Sequence, residues 1–152
     1  MIRLRTALLA AATASVAMLG VAQAADDPNE VLAYRKHVMG ALASGISNVF
    51  AVLQGKASYS QHLASSARIL HEASLQLLDV FPEGSAVGDS RSKPEIWTDW
   101  AKFEEAGKAL QTAAAELVAA TEGGDMAAIG AAADKVGDAC GGCHKPFRVP
   151  QQ

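Results

Sequence analysis

Four stretches of this sequence repeat apolar side chains every three or four residues, and none alternates with the period of two that marks a half-buried strand. The first runs from Pro28 to Leu53 on the stripe Val31, Val38, Leu42, Ile46, Val49 and Leu53. Arg35 occupies that stripe between Val31 and Val38, and Met39 lies beside it. Asp26 or Asp27 can cap this helix, Pro28 suits its first position, and Gly55 stops it. The second runs from Tyr59 to Phe81 with Ser58 as cap, on Leu63, Ala67, Leu70, Ala73, Leu77 and Phe81. The third begins at Pro94 and turns Ile96, Trp100, Phe103, Gly107, Leu110, Ala114, Leu117 and Thr121 inward. The fourth follows Asp125 and carries Met126, Ile129, Ala133, Val136, Cys140, Cys143 and Phe147. Pro146 removes a backbone bond, which predicts a helix loosening near Lys145.

Two of the connections are short, and one, Pro82 to Lys93, is a longer loop. With 32 alanines among 152 residues and few β-branched or aromatic side chains, local preference agrees with the periodicity. The expected fold is all-α, an antiparallel four-helix bundle in one domain.

The residues before Ala25 belong to another purpose. Arg3 and Arg5 precede an apolar run from Ala7 to Val21, and Ala22-Gln23-Ala24 has the small-x-small form of a cleavage site. The run is short of the roughly 20 residues that a membrane anchor needs. Residues 1–24 are read as an export signal removed after Ala24, residues 25–152 as the mature domain, and the periplasm as its compartment. No further segment is long and apolar enough to span, so no membrane span is expected in the mature form. Residues 25–152 hold 11 basic and 16 acidic residues, a net charge of −5. Without a basic excess, nucleic-acid binding is excluded as a function class.

Cys140-Gly141-Gly142-Cys143-His144 is the motif that carries chemistry. C-x-x-C-H is the attachment pattern of c-type haem: two thiols add to the porphyrin vinyl groups, and the histidine reaches the iron from the same side. Cysteines three apart share a helix face, and His144 lies one turn from Cys140. Gly141 and Gly142 let the backbone approach the ring. A thioredoxin-like pair would follow a strand, and none precedes this motif. A zinc site needs four ligands, and the chain has two cysteines with no second His/Cys cluster. A disulfide is chemically possible after export but would close only a four-residue loop. One covalent haem c, held by Cys140 and Cys143 with His144 on the iron, is therefore the expected cofactor. It would also fill the space that an alanine-rich core leaves.

With these residues in place, the chain resembles the cytochrome c′ family, the class II c-type cytochromes. Tyr34-Arg35 looks like that family's Tyr-Arg pair in the first helix. Pro94-Glu95-Ile96-Trp97 looks like its Pro-Glu-Ile-Trp, and Phe147-Arg148 like the aromatic-Arg pair after its haem motif. Pro146 departs from the pattern. The resemblance implies an exported four-helix bundle with one haem c. It places the residue beyond the iron four positions after the Arg of the Tyr-Arg pair, here Met39, and it suggests that Arg35 pairs with a haem propionate. It also allows a homodimer through the first two helices, where Ala41, Ala43, Ser44, Gly45 and Ala51 permit close contact, though they do so inside a bundle too.

The family divides into a low-spin branch, with methionine as second axial ligand, and a five-coordinate branch that binds small gases. Met39 as a thioether ligand gives the first expectation: a periplasmic electron carrier with a His/Met-ligated iron, serving redox partner proteins. The second is a five-coordinate cytochrome c′ taking nitric oxide or carbon monoxide, with Met39 as flexible packing. The third is a helical interaction module without haem. No hydrolytic constellation is present, so an enzyme is not expected.

Overall fold

The computed structural model describes residues 26–150, all-helical apart from loops and one isolated β-bridge. The expected export signal, residues 1–24, lies outside the described residues. Helix α1 spans Pro28–Leu53, α2 Leu63–Leu75, α3 Glu95–Thr98, α4 Trp100–Gly123 and α5 Met126–Phe147. The four long helices close a ring in which α1 packs on α2, α2 on α4, α4 on α5 and, most sparsely, α5 on α1. This is the expected four-helix bundle. The sparse α1–α5 seam is where the candidate site lies.

Local chemistry sets most of the ends. The Asp27 carboxylate accepts from the Asn29 amide at 2.8 Å and starts α1, with Pro28 in the first turn. Asp125 does the same for α5, accepting from the Ala127 amide at 2.9 Å. Gly124, at φ 74°, takes the left-handed position that ends α4. The α1–α2 seam is close because Gly45 has no side chain: a Cβ there would stand 2.9 Å from the Ser66 carbonyl oxygen and 2.8 Å from Leu70 Cβ. By length and composition α1 is the helix among the described residues that could cross a membrane. It packs one face on α2 and α5 and buries Arg35 there.

Four expectations need correction. The second helix is shorter than its periodicity: a 3-10 turn at Ser60–His62 precedes α2, and a second at Leu78–Val80 follows it. Its far end is drawn away from helix geometry because the Val80 carbonyl accepts from Arg35 Nε at 2.7 Å, and Phe81 stands before Pro82. The third helix breaks at Asp99 (φ −131°, ψ 54°), which frees Trp97 Nε1 to donate to the Phe81 carbonyl at 2.9 Å. The break turns Trp100 off the inner face, leaving it 39% exposed. Helix α5 does not loosen at Lys145 but continues through Pro146 to Phe147. A proline in the last turn forfeits one bond, and the chain end is held from outside. Lys93 N donates to the Phe147 carbonyl at 3.0 Å and Val149 N to the Arg91 carbonyl at 2.9 Å. Together these make an antiparallel bridge between Ser92 and Arg148. Met126, counted on the apolar stripe, is 44% exposed at the start of α5.

Candidate functional site

A cavity of about 450 Å³ opens between the N-terminal half of α1 and the C-terminal half of α5. That lies within the usual size of a ligand or cofactor site. Its floor comes from the segment after α2, from α3 and α4 and from the end of α5: Phe81, Ile96, Phe103 and Phe147 are all buried. Phe103 meets Phe81 edge-on at 4.8 Å between centroids and Phe147 at 5.3 Å, a rigid aromatic base. Cys140, Cys143 and His144 line the α5 wall, while Leu32, Met39 and Ala43 line the α1 wall. All five residues singled out for the cofactor (Arg35, Met39, Cys140, Cys143, His144) border this one cavity.

The environment sets their ionisation. Burial pushes the Cys140 thiol up, and burial together with the neighbouring Cys140 pushes Cys143 up to about 11. Both are free thiols here. Burial first, then the positive charges of Arg148 and Arg91, hold His144 below the ordinary imidazole value. His144 therefore stays neutral near pH 7, the form that gives a lone pair to a metal.

Arg35 is only 4% exposed and, among the described residues, has no carboxylate partner. Its guanidinium lies 4.3 Å from the Phe81 ring centroid. Nε donates to Val80 O, Nη1 to Ser92 Oγ at 3.0 Å, and Nη2 to both Ser85 O and Ser85 Oγ. Four of its five N–H groups are thus committed to the loop between α2 and α3. Arg35 is neither a surface arginine nor free for a two-bond clasp on a propionate; it ties that loop to α1. At the mouth, Lys36 holds Asp89 at 2.6 Å, and Arg91 and Arg148 stand close to His144.

The donor set fits haem c better than a bare ion. Among the described residues no group of three or more His, Cys, Asp and Glu is placed to hold a metal. The cavity instead pairs one imidazole with two thiols on one wall and an apolar surface around them. That is what a porphyrin bringing its own four nitrogens requires. Sequence reasoning missed Leu32 and Arg91. Leu32 precedes Arg35 by three and Met39 by seven, so a stripe drawn through Arg35 instead of Val31 finds it. Arg91 carries no local signal, because only the Ser92–Arg148 bridge brings it to the mouth.

The sequence model of the family described as Cytochrome C′ matches residues 30–148. This chain belongs to the cytochrome c′ family. Its members carry one covalent haem c, and the cofactor expected from Cys140-x-x-Cys143-His144 agrees. A cytochrome c′ of Rhodospirillum rubrum is 36% identical over 143 residues, covering 93% of this chain and 97% of the relative. Two solved variants of the Alcaligenes xylosoxidans protein, one a nitric oxide complex and one with carbon monoxide bound, are each 29% identical. Each covers 82% of this chain and 98% of its own, with a TM-score of 0.75.

These relatives overturn the expectation of an electron carrier with a His/Met-ligated iron, and with it the low-spin branch. Similar proteins are named cytochromes c′, and the two solved variants hold nitric oxide or carbon monoxide. The physical reason for the error is that methionine suits both roles. On the α1 wall Met39 is half-buried and packs against the core, which a flexible thioether does without binding a metal.

Proposed function

We propose that this protein is a five-coordinate cytochrome c′ that binds nitric oxide or carbon monoxide. The observation that carries the reading is the division of the cavity: thiols and imidazole on the α5 wall, faced from α1 by Leu32, Met39 and Ala43, while Arg35 and Lys36 border it with their side chains held by the loop after α2 and by Asp89. The gas complexes of similar cytochromes support it. When bound, haem would supply an iron able to take a diatomic ligand. The chain's own residues do the rest. Cys140 and Cys143 anchor the porphyrin through thioethers, and His144 donates its neutral imidazole from the α5 side. Leu32 and Met39 cover the opposite side and keep water out, which favours an uncharged diatomic over a polar ligand. Arg35 acts at one remove: it fixes the loop that forms the rim, with a single N–H left for a propionate. Export on the signal at residues 1–24 and residence in the periplasm complete the reading, in keeping with the family's compartment.

The test is the optical spectrum of the mature protein from cells that attach haem c. A reduced spectrum with broad visible bands that shifts sharply on adding carbon monoxide is the expected result. Sharp, split bands indifferent to carbon monoxide refute it.

A further inference from the structure

Eleven lysines and arginines lie in the described residues, and their partners are unevenly distributed. Lys36, Arg68, Lys102, Lys108 and Lys135 each pair with a carboxylate. Of those without an ion pair among the described residues, Arg35 is buried and Lys56 follows the far end of α1. The remaining four, Arg91, Lys93, Lys145 and Arg148, gather at one place. The bridge between Ser92 and Arg148 joins their two segments, with Arg91 Nε donating to Val149 O at 3.0 Å and Lys93 Nζ to Lys145 O at 3.3 Å. Arg91 and Arg148 also border the cavity mouth. Of the acids nearby in sequence, Asp89 is taken by Lys36, and Glu95 makes no ion pair among the described residues.

Two haem propionates would balance at most two of the four charges. Val149, 46% exposed, adds an apolar spot among the cations. An apolar centre with a charged rim is the anatomy of a protein interface. The rest of the surface makes residues 25–152 net negative, so an acidic partner is repelled elsewhere and admitted here, in one orientation. We propose that Arg91, Lys93, Lys145 and Arg148 form a docking face at the mouth of the haem cavity for a partner protein that presents clustered carboxylates. The proposal rests on the haem reading only in that the cavity beside the face is the haem site.

An acidic flavodoxin serves as probe, titrated calorimetrically into the mature, haem-loaded protein at low salt and at about 200 mM, where screening shortens the reach of charge to under a nanometre. Wild type is expected to bind at low salt and weaken as salt rises. The double variant Lys93→Glu/Lys145→Glu should lose about tenfold in affinity and Lys145→Glu alone about threefold, since rim charges act mainly through steering and salt dependence. Lys56→Glu, remote from the face, should change it less than twofold. No binding by wild type, or equal losses in Lys56→Glu and the double variant, overturns the proposal. So does binding to phosphatidylglycerol vesicles in place of flavodoxin. A carbon monoxide spectrum of the same samples reads the gas site separately: its failure removes the proposed function and leaves the affinity ratios to decide the face.

Discussion

Two glycines in α1 make opposite predictions from the same substitution. Within a helix interior, Gly→Ala ordinarily stabilises by about 1 kcal/mol, because alanine has less backbone freedom to lose. Gly40 has nothing within 4 Å of where its Cβ would stand. Gly40→Ala should realise most of that gain. Gly45→Ala earns the same propensity but drives a methyl against Leu70 Cβ at 2.8 Å, Ser66 O at 2.9 Å and Leu70 N at 3.1 Å. Two of those atoms are backbone and cannot rotate away, so α1 and α2 must part by about 0.6 Å to restore normal contact. Overpacking of this kind costs about 2–3 kcal/mol, which leaves a net loss of about 1–2 kcal/mol. The two variants should therefore differ by about 2–3 kcal/mol. Urea unfolding of the haem-loaded protein, followed by helical circular dichroism, measures it as a shift in midpoint at constant slope. Equal stability of Gly40→Ala and Gly45→Ala would show that the α1–α2 seam is not as tight as described, and the reasoning would fail. Because α1 also carries Arg35 and Met39, the same displacement should alter the carbon monoxide dissociation rate in Gly45→Ala alone.

Arg35→Met leaves Val80 O and Ser85 O without their donor; with unsatisfied buried groups costing about 1–3 kcal/mol each, a loss of about 2–4 kcal/mol is expected. Faster proteolysis between residues 81 and 93 should accompany it, and an unchanged cleavage rate would contradict the latch. Met39→Ala removes cover from the gas side of the cavity and should speed carbon monoxide association roughly tenfold, equivalent to about 1.4 kcal/mol in the barrier; a slower rate would mean that Met39 does not stand in the path. In the haem-free protein, with retained helices checked by circular dichroism, iodoacetamide should modify Cys143 slowly at pH 8. A thiol whose value is raised to about 11 has only about a thousandth of its population as thiolate there, and reactivity should rise toward pH 11. Modification at the rate of an unfolded-chain cysteine would refute that burial.

Periodicity made the bundle legible, since each long helix spends one face on the core and the sequence repeats that face. The start of α1 at Pro28 and its end at Leu53, ahead of Gly55, were readable because each is a local contest among neighbours. The breaks at Leu75 and Asp99 were not: one answers to Arg35, forty residues earlier, and the other to the Phe81 carbonyl. Cys140, Cys143 and His144 announced themselves by spacing. Arg35 was visible as a charge on an apolar stripe, but its partners lie in a loop with no pattern of its own. Met39 shows a different limit. The family resemblance marked it as a residue beyond the iron, while a methionine side chain by its type suits either ligand or cover.

The bridge between Ser92 and Arg148 also bears on how the protein is assembled. One wall of the cavity is made early in synthesis and the other late, and the rim is fastened only when the strand-like segment at Arg148 and Val149 reaches Arg91. Pairing partners so far apart in sequence form slowly compared with a single helix. If the rim is the last contact to form, Cys140 and Cys143 stay on an open α5 until then, and closure of the rim is expected to follow attachment of the porphyrin.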